Sequence, residues 1–149
     1  MGWMQDESGL DKCAANFVAL TPLSHLRRAA SVFAGHLAVV YGNHRVTYAE
    51  HHARCSRLAS ALAGLDVAPG DVVATLLPNV PAQVEAHFGV PACGAVLNTI
   101  NTRLDVDTVS YIFAHGGAKV VLVDSQFLDL AEAALAAMEL VSVKPTGMV

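Results

Sequence analysis

The chain holds 149 residues, enough for one domain with a real core, and 54% of them are hydrophobic. Only 15% are charged, against about a quarter in an average globular domain, so the composition predicts faces that further protein covers. The net charge of −4, with no basic run, argues against a nucleic-acid surface, and no stretch is apolar enough to span a bilayer because Glu85 and His87 interrupt the best candidate.

Residues 1–20 lack periodicity and are expected to form an arm lying on something else. The start, MGWMQDESGLDK, is acidic and has no signal-peptide core. Met1-Gly2 offers a myristoylation start, but Asp6 stands where Ser or Thr is wanted. Thr21-Pro22 is a cap followed by a first-turn proline, after which Leu23, Leu26, Ala30 and Phe33 recur at helical spacing until Gly35. Leu37 to Tyr41 and Arg45 to Tyr48 alternate as strands around Gly42-Asn43, a tight-hairpin signal. Thr47 and Glu50 form a capping box for a helix to about Ala63, with Cys55, Leu58, Ala59 and Leu62 as its buried stripe and Gly64 as its stop.

The chain is organised around the next stretch, Gly70 to Asn101. Val72 to Leu77 is a short apolar run of the kind found in strands buried on both faces. Asn79 is placed to cap a helix with Pro81 in its first turn, Val84, His87, Phe88 and Pro91 on its inner side, and Gly94 at its end. Ala95 to Ile100 supplies a second strand, and a strand–helix–strand unit of this length crosses over right-handed to lay its strands parallel. Asn101 to Leu104 is a loop, and Asp105 caps a helix through Val109, Ile112 and Phe113 that His115-Gly116-Gly117 ends. Lys119 to Val123 is a third buried strand finished by Asp124, and Ser125 caps a helix through Phe127, Leu130, Ala134 and Met138. The strands at Val72, Ala95 and Lys119 recur at the period of a doubly wound sheet. The fold class expected is therefore α/β: a partial doubly wound parallel sheet with flanking helices, plus an antiparallel hairpin.

The search for chemistry is mostly negative. No G-x-G-x-x-G follows a strand, and neither G-x-x-x-x-G-K-[ST] nor G-x-S-x-G occurs. Cys13, Cys55 and Cys93 are odd in number and share no metal-ligand spacing, which predicts reduced thiols in a cytoplasmic protein. His51 and Cys55 fall at i, i+4, but two ligands close no site, so His51 and His52 are taken as helix-surface residues. His87 is taken as a packing histidine and Asp124 as a cap residue. Asn98, Asn101 and Arg103 group past a strand's carboxyl end, where α/β folds place ligands, though a structural role is favoured. Lys144-Pro145-Thr146-Gly147 has the wrong spacing and flanking strand for a phosphate loop. No residue is assigned to catalysis, cofactor binding or metal binding.

The ordered series does carry a resemblance. Thr47-Tyr48 with its helix, GDVVATLLPNVP, HFGVPACGAVLNTINTRLD and GAKVVLVD, preceded by CAANFVALTPLSHLRRAA, resemble the amino-terminal part of the adenylate-forming acyl-CoA synthetases. Within that superfamily they are most similar to the plant acyl-activating enzymes of the benzoate- and butyrate-ligase type, over roughly residues 12–138. The resemblance implies the amino-terminal portion of the synthetase large domain: an arm over 1–20, the family segment over 21–139 and a divergent tail over 140–149. It implies a parent reaction that activates a carboxylic acid with Mg-ATP to an acyl-adenylate and passes the acyl group to coenzyme A. ATP, Mg and CoA are thus implied for full-length relatives and no cofactor for this chain, because the family's phosphate loop and catalytic lysine have no counterpart here. Some full-length relatives are peroxisomal, but Gly147-Met148-Val149 is not a peroxisomal address. A truncated and inactive ligase segment is the first expectation. A module docking on a full-length synthetase or on a second copy, and a stand-alone doubly wound nucleotide binder, are the alternatives.

Overall fold

The computed structural model describes residues 11–139 and 147–148. Residues 11–20 run along the outside without regular structure, every one of them exposed. Helix α1 (Pro22–Val32) starts at Thr21, whose hydroxyl and Ser24 exchange the reciprocal bonds of a capping box. A hairpin of β1 (Leu37–Tyr41) and β2 (His44–Thr47) follows, antiparallel and separate from the main sheet. Helix α2 (Tyr48–Gly64) opens with the Thr47–Glu50 capping box and buries Cys55 and Leu62.

The main sheet has the order β4-β3-β5-β6, all parallel. Its core strands are β3 (Val72–Leu76), β4 (Val96–Thr99) and β5 (Ala118–Val123), and a two-residue strand, β6 (Gly147–Met148), pairs its backbone with Val120 and Val121. From β3 the chain passes through α3 (Pro81–Ala92) to β4 on one side, then through α4 (Val106–Gly116) back across to β5 on the other. Right-handed crossovers in opposite directions put their helices on opposite faces. Val73, Val120 and Leu122 accordingly pack with Leu62, Ala86 and Val90, whereas Ala74, Leu76 and Val121 pack with Val109, Phe113 and Met138. A turn of 3-10 helix (Ser125–Phe127) and α5 (Leu128–Glu139) complete the second layer. Strand alternation thus splits one apolar run into two cores, as a doubly wound sheet requires.

Several local expectations need correction. Gly64 does not stop α2: it is the helix's last residue, and the reversal belongs to Asp66 in the left-handed region at φ 59°. Asp66 N–H donates to Ala63 O at 3.0 Å and Val67 N–H to Leu62 O at 3.1 Å, the paired bonds of a Schellman ending. The ammonium of Lys119 ties this turn to the sheet, donating to Asp66 O at 2.6 Å and to Asp71 Oδ2 at 2.7 Å. Asn79 does not cap α3; Val80 does, with no side-chain bond, and Pro81 absorbs the loss by lacking one of the orphan donors. Ser125 is not the cap after β5, because Asp124 accepts from Gln126 N–H there. Gly94 does end α3, at φ 81°, where a Cβ would meet Pro69 at 3.0 Å.

The largest correction concerns which face of α3 is buried. Val84 and His87 are exposed, and the covered positions are Gln83, Glu85, Ala86, Gly89 and Val90. The helix lies on the sheet and beside α2 together, so it must bury two adjoining faces where an isolated amphipathic stripe buries one. At the crossing with α2 a Cβ on Gly89 would meet Leu58 Cδ2 at 2.7 Å, so the Leu58 side chain already fills the space that a side chain at Gly89 would need.

Candidate functional site

The loop leaving β3 turns toward one face of the sheet and the loop leaving β4 toward the other. They part at the carboxyl edge and leave a cleft of about 630 Å³, where open α/β sheets bind their ligands. Pro78 and Asn79 form one wall, Thr99 to Arg103 the other, and the first two turns of α3 project Gln83 and His87 between them.

Hydrogen bonding fixes the local geometry. The Asn101 side-chain oxygen accepts from Arg103 N–H at 3.0 Å, holding the loop in a tight turn with the Arg103 side chain exposed. His87 Nδ1 lies 2.7 Å from Gln83 O and donates to it, because a carbonyl can only accept. Its Nε2 is thereby left as the acceptor of the neutral ring. Gln83 is 9% exposed, and among the described residues its side-chain carbonyl has no hydrogen-bond donor. A buried amide oxygen of this kind costs free energy unless a ligand or further protein supplies a donor. The cleft can therefore accept and donate hydrogen bonds, and among the described residues its lining offers one permanent cation and no carboxylate, lysine or thiol.

The sequence grouping of Asn98, Asn101 and Arg103 is only half retained. Asn101 and Arg103 line the cleft, whereas Asn98 points under α4, where a side chain at Gly116 would meet its amide at 2.9 Å. A one-residue step along a strand changes its face, and Asn98 falls on the other parity from Thr99. His87, expected to pack, borders the cleft. Asp124 stays with its own helix turn as a cap, bonded to Gln126. Gln83 was not singled out by the sequence; its place in the first turn after a strand's carboxyl end was the available signal.

His51 is a further correction, because it is 3% exposed rather than a surface residue. It packs edge-on against Phe88 with ring centroids 5.4 Å apart, and Cys55 Sγ lies 3.8 Å from both of its ring nitrogens. His52, its neighbour, is half-buried. Burial pushes the Cys55 thiol up to about 11, which keeps it protonated and unreactive. No group of three His, Cys, Asp or Glu side chains among the described residues can hold a metal ion.

Burial also holds His51 below its ordinary value, and this gives a pH dependence of known sign. The unfolded chain binds this proton near pH 6.5 and the folded chain only at lower pH, so the contribution is complete above about 6.5 and shrinks as pH falls below it. The urea midpoint is expected to drop between about pH 7.5 and 5.5, and His51→Leu to flatten that drop. A variant with an unaltered slope would remove His51 from the account. The capped carboxylates of Glu50 and Asp105, both held low by backbone N–H bonds, lose their contributions only at more acidic pH.

Residues 26–147 match the model of the AMP-binding enzyme family. The chain is 47% identical over 135 residues to a peroxisomal acetate/butyrate–CoA ligase of Arabidopsis thaliana, covering 91% of this chain and 24% of the relative. It is 48% identical over 126 residues to a peroxisomal trans-cinnamate:CoA ligase of Petunia hybrida, covering 85% and 22% respectively. Among solved structures, a fatty acyl-CoA synthetase of Mycobacterium tuberculosis superposes with a TM-score of 0.75 at 33% identity, over 83% of this chain and 25% of that one. The chain spans about a quarter of the length of the curated relatives it matches.

Proposed function

The chain belongs to the AMP-binding enzyme family, and from that premise we propose that its 149 residues are a segment of an acyl-CoA ligase that does not suffice for catalysis by itself. The parent reaction joins a carboxylic acid to AMP with release of pyrophosphate and then moves the acyl group to coenzyme A. The observation that carries the reading is high identity to plant acyl-CoA ligases over most of this chain but about a quarter of theirs.

The composition of the cleft supports it. Carboxylate attack on a nucleoside triphosphate needs several cationic groups to neutralise charge that develops as pyrophosphate leaves. Among the described residues, Arg103 is the one permanent cation on the cleft wall, and none of them places a carboxylate there to hold a magnesium ion. The residues present do not fit Mg-ATP. The segment's contribution is the carboxyl edge of the sheet, a preformed wall whose Gln83 side-chain carbonyl and Arg103 guanidinium have no partner among the described residues and are open to further polypeptide or its ligands. Apolar side chains left in solvent, among them Phe33, Leu37, Val40 and Tyr41 around the hairpin, agree with faces that further protein covers.

The test is acid-dependent exchange of pyrophosphate into ATP by the purified chain, with acetate, butyrate, benzoate and cinnamate as acids. Loss of a single electrostatic donor costs about 3 kcal/mol of transition-state stabilisation, and the described cleft lining offers one permanent cation where several are needed. No exchange above a heat-killed control is expected. Exchange with any of the four acids would refute the reading and make the chain an enzyme in its own right.

A further inference from the structure

Away from the cleft, the outer side of α2 and the hairpin enclose a concavity of about 270 Å³. Three of the nine lysines and arginines in this acidic chain converge on it: Arg45 from β2, and Arg54 and Arg57 from successive positions of one α2 face. His44 and Glu50 also border it, and Val46, 4% exposed, forms its floor.

The three guanidinium groups are held differently. Arg45 Nη1 donates to Gly42 O at 2.6 Å and to His44 O at 3.2 Å, which anchors the side chain to the hairpin turn. Arg54 Nε donates to Glu85 Oε1 at 2.5 Å, leaving its two terminal amino groups without an acceptor among the described residues. Arg57 has no acceptor among the described residues. Glu85 offsets the charge of Arg54, and Glu50 makes no ion pair with the three among the described residues: its Oε2 accepts from Thr47 N–H at 2.8 Å and from the Thr47 hydroxyl at 2.9 Å, facing the helix cap.

We propose that this concavity is an anion site for a phosphate group, with Arg57 and Arg54 gripping it and Arg45 closing the far side. A carboxylate satisfies one guanidinium fork, whereas a phosphate dianion presents three oxygens and twice the charge, which matches the unengaged fork of Arg57, the free terminal amino groups of Arg54 and the bordering Arg45. A single pocket of three arginines in a chain of net charge −4 suits a small phosphorylated molecule rather than the extended basic surface that nucleic acid requires. The site is independent of the carboxyl-edge cleft and of any ligase activity.

The experiment is titration of the purified chain with inorganic phosphate, with chloride holding ionic strength constant, followed by the side-chain N–H resonances of the arginines. Saturable shifts of Arg54 and Arg57 are expected, with acetate binding at least about tenfold more weakly. Arg57→Gln is expected to weaken phosphate binding about tenfold without moving the phosphate-free melting temperature, since the Arg57 side chain makes no hydrogen bond among the described residues, and Arg45→Gln to weaken binding while also lowering that temperature, since it removes the bonds to Gly42 O and His44 O. Equal affinity for acetate, unsaturable shifts, or unchanged binding in Arg57→Gln would each overturn the assignment.

Discussion

Phe113→Ala is expected to lower folding free energy by about 3–5 kcal/mol, the cost of removing an aromatic ring from a core that cannot collapse around the gap. Phe113 has no exposed surface and lies where the α4–α5 layer meets the sheet, against Leu76, Val121, Ala134 and Met138. Four of the ten buried members of that cluster, Ala74, Leu76, Ala118 and Val121, sit on strands whose positions the other helical layer also fixes, so these neighbours cannot move in without disturbing Val73 and Val120 behind them. With typical domain stability of about 5–15 kcal/mol, the variant approaches the unfolding threshold. Urea denaturation measures it. Tyr111→Ala, two residues away but 64% exposed, is the control and is expected to shift stability by no more than about 0.5 kcal/mol. Similar losses at the two positions would mean that this layer is not packed as described.

Gly89→Ala is expected to destabilise by about 1–3 kcal/mol, although at an exposed helix position the same change would stabilise by nearly 1. The sign is set by Leu58: three of its carbons lie 2.7–3.0 Å from the position the new methyl group would occupy. Leu58 is itself half-buried between α2 and α3 and cannot simply swing into solvent without vacating its own contacts. A double-mutant cycle isolates the clash. Leu58→Ala alone creates a gap, and Gly89→Ala placed in that background is expected to cost much less than in the wild type or to stabilise. Strict additivity would show that the two helices do not cross at this contact.

Both predictions rest on tertiary contacts, and they mark where sequence reasoning stops. The parallel strands at Val72, Val96 and Ala118, the separate hairpin, and the caps at Thr21, Thr47 and Asp105 follow from local patterns: short β-branched runs, a Gly42-Asn43 turn, and side-chain oxygens three residues ahead of the N–H they accept. Each of these involves residues a few positions apart, and their energetics are decided within that window. The ordered run of such pieces was also enough to show the family resemblance.

The orientation of α3 was not legible in this way. Val84, His87, Phe88 and Pro91 form the more apolar-looking stripe, yet the helix buries Ala86, Gly89 and Val90, because the sheet on one side and α2 on the other reward small residues and close backbones over large side chains. His51 is hidden for the same reason: α3 brings Phe88 across it from 37 positions along the chain. The cleft shows the same division. Its wall at Asn101 and Arg103 was marked by position after a strand, whereas Gln83 and His87 reached it only through the rotation of α3, and Asn98 left it through strand parity. The arginine concavity joins β2 to α2 through the angle at which the hairpin meets the helix. The sequence by itself therefore determined the hairpin, the three central strands, the order of the elements and their family, because those depend on short-range pattern, while β6 exists only through its long-range pairing with β5. Only the tertiary structure decided which faces meet and which polar groups converge, because burial is a property of the partner surface as much as of the residue.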